Sequence, residues 1–280
     1  MNTRPLLALA ALLLASTASA QQPAAPATKP APPPSRFHEP APFDFDDHTG
    51  FVQIFDGKTL TGWDGDPAMW HVEDGALVGE APAGPRPPNT YLSYPGTGPT
   101  EVAAHDFDLK LEVKVEHGGG TGIQSRRAVN KPWSHARPGQ PLPKAAWLMT
   151  GPQADFWFPV DPQHDQYSGQ FYSENTDLGI LAWRGQVTES TPGSTTPQLL
   201  GNIGNRSALG GYVVTNGWNQ YEIIARGPVM MHLINGQLMA VFIDDNPNSS
   251  NNNASGLIGI ELEGNPTKIS VRNIWLRKLN

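Results

Sequence analysis

The 280-residue chain contains no cysteine. That excludes disulfides, thiolate metal centres, a cysteine nucleophile and a lipid-bearing cysteine behind a leader. Positive charge is also scarce, with 19 Lys and Arg against 26 Asp and Glu and a formal net charge of −7. Basic residues form no cluster, so neither a nucleic-acid surface nor an anionic-membrane surface is expected. Apolar runs beyond the N-terminus fall well short of the roughly 20 residues that span a bilayer. Long helical periodicity is nearly absent. The 8 histidines show no HxH, HxxxH or HExxH spacing, so the sequence supports no zinc site. No Ser-His-Asp arrangement can be assembled, and Gly-rich pieces such as His117–Gly120 lack the strand–loop–helix context of a phosphate loop.

What is present begins with an address. Met1–Arg4 carries one positive charge, Pro5–Ser16 is apolar, and Ala18-Ser19-Ala20 is a small-residue cleavage site. This predicts a secretory signal cleaved after Ala20 and a periplasmic or secreted protein. Gln21–Arg36 is rich in Ala and Pro, which favour extended, uncollapsed backbone. Residues 21–45 are therefore expected to be a linker and residues 46–280 one folded domain.

Within that domain, 29 Gly and 28 Pro punctuate short apolar stretches, the pattern of an all-β, two-sheet antiparallel sandwich. The clearest strand is His105–Glu116. Phe107, Leu109, Leu111, Val113 and Val115 alternate with Asp108, Lys110, Glu112, Lys114 and Glu116, predicting one buried and one wet face. Asn235-Gly236 between Val229–Ile234 and Gln237–Ile243 is the strongest hairpin signal. Leu257–Glu263 and Thr267–Leu279 read as the closing strands. Ala128–Lys144 and Gln186–Gly210 read as long loops, either covers over a site or decoration.

Ile54–Glu80 sets Trp63 and Trp70 beside the turn pairs Asp56-Gly57, Asp64-Gly65 and Asp74-Gly75. This block resembles the opening of the 3-keto-disaccharide hydrolase family, a former domain of unknown function. The likeness continues in order through Asp106–Glu112, Gly122–Arg126, Gly151–Asp155, Gly169–Tyr172, Trp218–Glu222, Leu233–Gly236 and Val271–Ile274. The resemblance implies a concanavalin-like jelly roll with long loops over a concave, sugar-binding face. It also implies cleavage of glycosides whose sugar carries a ketone at C3, made by a partner sugar 3-dehydrogenase. A C3 ketone acidifies the C2 proton, so the glycosidic bond can leave by elimination through an enolate, followed by hydration. Such chemistry needs a base, an acid and a group that holds the enolate oxygen.

Arg126 is the candidate for the enolate, because a guanidinium grips oxygens in a fork. Asp155, between Trp147–Met149 and Phe156–Phe158, is the candidate acid/base, since apolar neighbours raise a carboxyl's proton affinity. A turn carboxylate capping backbone N–H groups is its bland alternative. Candidate substrate-binding residues are Glu112, Gln124, Gln153, Tyr172, Glu174, Trp183 and His164. Glu112 lines the cleft only if its strand face is the concave one, and Trp183 suits sugar stacking or core packing alike. Trp63, Trp70 and Trp218 are expected in the core. No cofactor is called for, though a divalent ion such as calcium suits this fold type. The rival reading is a non-catalytic carbohydrate-binding envelope protein, and a tethered structural domain is a third.

Overall fold

The computed structural model describes residues 40–82, 84, 89–95, 105–127, 147–159, 166–176, 178–247, 256–263 and 266–279. The signal, most of the linker, His164 and the segment Ala128–Lys144 lie outside the described residues. The chain divides into a unit Met1–Pro42 and a compact unit Phe43–Asn280.

In chain order the strands are β1 (Val52–Gln53), β2 (Trp70–Glu73), β3 (Ala76–Glu80), β4 (Thr90–Tyr94), β5 (Phe107–His117), β6 (Gly120–Arg127), β7 (Gly151–Trp157) and β8 (Phe171–Glu174). Then follow β9 (Gly179–Ala182), β10 (Gln186–Ser190), β11 (Gln198–Asn202), helix α1 (Arg206–Gly210), β12 (Asn219–Arg226), β13 (Val229–Ile234), β14 (Gln237–Asp244), β15 (Leu257–Leu262) and β16 (Lys268–Lys278). The larger sheet has the order β11-β10-β14-β13-β12-β5-β16-β3-β2, with β1 beside β16, and the smaller sheet has the order β4-β15-β6-β7-β8-β9. The expected all-β two-sheet sandwich is what forms. One strand departs from the antiparallel rule, β10 lying parallel to β14.

The turn chemistry acts as the sequence predicts. Asp74 and Gly75 (φ 49° and 77°) join β2 to β3, and Asn235 and Gly236 (φ 50° and 76°) join β13 to β14. Two successive positive φ values give the turn whose twist matches paired strands, and Asn, Asp and Gly tolerate them best. Gln186–Gly210 is not the structureless loop expected. It holds β10, β11 and α1, and Thr188 and Ser190 are buried in β10 although neither is apolar. Thr188 satisfies its hydroxyl on the Leu181 carbonyl at 2.7 Å, which is why a polar residue can occupy an inner position there.

The core lies between the sheets. Phe107, Leu109, Leu111, Val113 and Val115 of β5 are all buried in it, with Ile223 and Ala225 of β12 and Ala154, Phe156 and Phe171 of the smaller sheet. Each fully buried large side chain of this kind stabilises by about 1.5–3 kcal/mol. Trp63 and Trp70 join this core, and Trp63 donates Nε1–H to the Ile54 carbonyl at 2.9 Å. Trp218 does not. It is half-buried, with the guanidinium of Arg272 stacked 4.0 Å from its ring centroid.

The polar face of β5 is only partly wet. Lys110 is buried because Nζ donates to the carbonyls of Asp44, Phe45 and Asp47 at 2.9–3.1 Å, with the Phe51 ring 4.9 Å away. The stretch Phe43–Asp47 thus belongs to the folded unit, earlier than the boundary expected at residue 46. No helix among the described residues is long and apolar enough to cross a membrane.

Candidate active site

The smaller sheet turns an unusual face away from the core. Along β7, Ala154 and Phe156 point inward, so Gln153, Asp155 and Trp157 point outward. Strand register spreads this polarity sideways. Ser93, Gly259, Gln124, Gln153 and Tyr172 are successive neighbours across β4, β15, β6, β7 and β8. Beside that row, Tyr91 pairs with Glu261, and Asp155 with Gly122. Glu174 lies opposite Gly151 at the end of the same face.

These groups form a connected network. Gln153 donates its amide to Asp155 Oδ1 at 2.9 Å and to Glu261 Oε2 at 2.7 Å. Gln170 donates to Asp155 Oδ2 at 2.6 Å. Tyr91 and Asn89 both donate to Glu261 Oε1, at 2.9 and 2.7 Å, and Asn89 also reaches Glu263 Oε2 at 2.9 Å. Gly122 makes this reach possible, since a Cβ there would lie 2.2 Å from the Gln153 side chain. Glycine in mid-strand marks such a close approach.

Burial sets the electrostatics. Asp155, Gln153, Glu261 and Tyr91 are each no more than 3% exposed. Burial raises the Asp155 carboxyl well above the usual carboxylate range, against the pull of the Gln170 and Gln153 amides, while Glu261 and Glu263 add repulsion. Burial raises Glu261 likewise, reinforced by Glu174 and Glu263. Two neighbouring carboxyl groups with raised proton affinity can hold one proton and one charge between them, the requirement of an acid/base pair. Gln124 adds a second kind of group. It is fully buried, and neither atom of its amide has a partner among the described residues. An amide so placed keeps hydrogen-bonding capacity that the described residues leave unused.

The predicted residues divide. Asp155, Gln153, Gln124, Tyr172 and Glu174 share this face. Arg126 does not join them. Two residues of β6, Ser125 and Arg126, oppose the single Ile258 of β15, and this bulge puts Arg126 at φ 60°. Its guanidinium bonds the carbonyls of His105 and Gly227 at 2.7 Å each, and Asp106 Oδ1 at 3.0 Å. It clamps the smaller sheet to the larger. Glu112 stands on the larger sheet, paired with Arg272 at 2.8 Å and accepting from Asn273. Trp183 closes the turn from β9 to β10, its ring against Tyr167 (6.0 Å) and under the Arg206 guanidinium (4.1 Å). That ring is already engaged by protein.

Sequence reasoning missed Glu261, Glu263, Tyr91, Asn89 and Gln170. One signal was there to find. In Leu257–Glu263, Gly259, Glu261 and Glu263 alternate with Ile258, Ile260 and Leu262, placing two carboxylates on a strand too apolar for an exposed sheet. Among the described residues no three His, Asp or Glu side chains converge as metal ligands would.

Known proteins share this chain's features. A curated protein named 3-keto-disaccharide hydrolase, from Bacteroides thetaiotaomicron, is 35% identical over 85 residues, 28% of this chain and 27% of that protein. The match thus spans about a quarter of that relative's length. A Parabacteroides distasonis structure described as a candidate glycosyl hydrolase superposes with a TM-score of 0.47 at 16% identity, covering 83% of this chain and 95% of the other. A carbohydrate-binding module from Bacillus subtilis gives 0.45 at 14%, covering 77% and 95%. Residues 50–277 match the 3-keto-alpha-glucoside-1,2-lyase-like domain, and the chain belongs to that family.

Proposed function

We propose that this protein cleaves the glycosidic bond of 3-keto sugars, with Asp155 and Glu261 as its acid/base pair. The observation that carries the reading is the buried bridge Asp155–Gln153–Glu261 on the outer face of the smaller sheet. One carboxylate removes the C2 proton, whose electrons move toward the C3 carbonyl and leave an enolate. The enolate then expels the C1 substituent as the other carboxyl protonates the leaving oxygen. Water adds across the C1–C2 double bond that results. An ordinary glycosidase also uses two carboxyl groups but passes through an oxocarbenium-like state and needs no C3 ketone.

Gln124 is placed to hold substrate oxygens, its N–H toward a carbonyl or enolate and its C=O toward a hydroxyl. Tyr172 and Glu174 border the same face and complete the substrate-binding set. The ketone must come from an oxidation, so a sugar 3-dehydrogenase acts upstream, in the periplasmic or extracellular space that the leader specifies.

Turnover of a nitrophenyl 3-keto-glucoside with protium or deuterium at C2 tests this. A primary isotope effect on that substrate, with the unoxidised glucoside inert, is the expected result. Absence of turnover on every 3-keto-glycoside, with and without divalent ions, would remove the enzymatic reading. Sugar binding without turnover would instead support the carbohydrate-binding alternative.

A further inference from the structure

Asp155 is approached from both sides of the smaller sheet. Outside, its carboxylate is held by Gln153 and Gln170. Inside, two polar groups of the larger sheet cross the sandwich to the backbone of the same stretch. Tyr221 on β12 donates its hydroxyl to the Ala154 carbonyl at 2.6 Å, and Ala154 links Gln153 to Asp155. His232 on β13 sets Nδ1 3.3 Å from the Gln170 carbonyl. That carbonyl also accepts the backbone N–H of Asp155, at 3.1 Å. Because a carbonyl can only accept, Nδ1 carries the hydrogen. Nε2 is then a bare acceptor, fully buried and without a partner among the described residues.

Packing alone does not explain this arrangement. The Tyr221 and His232 rings meet at 4.5 Å, and Phe171 stands 5.7 Å from His232. A leucine at 232 would fill apolar space without stranding an acceptor, whereas an unpaired buried polar atom destabilises a core. Proton transfer does not explain it either, since burial pulls the His232 pKa down to about 3 and keeps the ring neutral. What the ring supplies is direction, an N–H aimed at the backbone that carries Gln170.

We infer that Tyr221 and His232 are positioning residues that fix the Gln153–Asp155–Gln170 unit from inside the core, at some cost in stability. The inference rests on the reading of Asp155 as an acid/base group, but its test does not depend on turnover. The groups facing the Asp155 carboxyl are Glu261 and Glu263 and the amides of Gln153 and Gln170, with the Tyr221 phenol beneath. In the full chain, the carboxyl carbon of Asp155 is titrated by NMR in the wild type and in His232→Leu, His232→Asn and Tyr221→Phe. Asparagine can present an N–H near the Nδ1 position, and leucine cannot.

In His232→Leu the titration should move upward by roughly one pH unit, because a loosened Gln170 amide no longer favours the carboxylate. Tyr221→Phe should move it the same way, and His232→Asn should return it toward wild type. The thermal midpoint of His232→Leu should equal or exceed that of the wild type. On a 3-keto-glycoside, kcat should fall by roughly tenfold to a hundredfold in His232→Leu with KM little changed. An Asp155 titration that stays put in folded His232→Leu and Tyr221→Phe overturns the inference, marking both as ordinary core residues. If His232→Leu does not fold, Tyr221→Phe decides alone. If the wild type turns over no 3-keto sugar, the titration still decides, and the failure belongs to the proposed reaction.

Discussion

The two sheets turn very different charged faces away from the core. On the larger sheet, carboxylates meet cations: Asp108 with Arg277 (2.8 Å), Glu112 with Arg272 (2.8 Å), Glu116 with Lys114 (3.0 Å) and Glu73 with Lys268 (3.2 Å). On the smaller sheet, Asp155 and Glu261 meet amides and a phenol. Burial raises the Asp155 and Glu261 carboxyls well above the usual carboxylate range, against the opposing pull of these neutral donors. The first arrangement stabilises a surface. The second suits the proton transfer proposed for Asp155 and Glu261.

Asp155→Asn should break this contrast most completely. It keeps the size of the side chain but removes its proton chemistry, and turnover of a 3-keto-glycoside should fall by roughly 10²- to 10⁴-fold. An unchanged kcat in a variant with native near-UV circular dichroism would remove Asp155 from the chemistry. Gly122→Ala should come next. The added methyl collides with the Gln153 side chain and uncouples Asp155 from Glu261, for an expected loss near 10²-fold. Overpacking should also cost about 1–3 kcal/mol in denaturant unfolding.

Glu222 of β12 is an exception on the larger sheet, and it sharpens the rule. Burial, followed by repulsion from Asp108, pushes it up to about 8, against an ordinary 4.5. The folded chain therefore binds an extra proton between those values, and stability falls as pH rises through that window. Glu222→Gln should abolish the fall, with a thermal midpoint above wild type at about pH 8 and a difference that closes toward about pH 4. Parallel midpoints across that range would show that Glu222 titrates normally. The smallest effect belongs to Arg272→Ala, which frees a half-exposed pair. About 1 kcal/mol or less of stability and no change in turnover are expected there. A large loss of turnover would mean that the larger sheet takes part in the chemistry.

Sequence legibility tracked these same physical differences. Asn235-Gly236 and Asp74-Gly75 were readable because a two-residue turn constrains its own backbone. The inner face of β5 was readable because strict alternation needs no knowledge of neighbours. Asp155 stood out through its apolar surroundings. Arg126 misled because a one-residue bulge, invisible in composition, turned it from the outer face to the other sheet. Glu261 went unnoticed because its partners, Tyr91 and Gln153, lie far away in the chain.

The sequence by itself determined the turn-rich β sandwich and the family likeness, because composition, period-two patterning and turn residues act over a few positions. Only the tertiary structure decided which charges are paired and which are buried among neutral donors. That outcome depends on strand order and register, through which β15, β6 and β7 bring Glu261, Gly122 and Asp155 side by side.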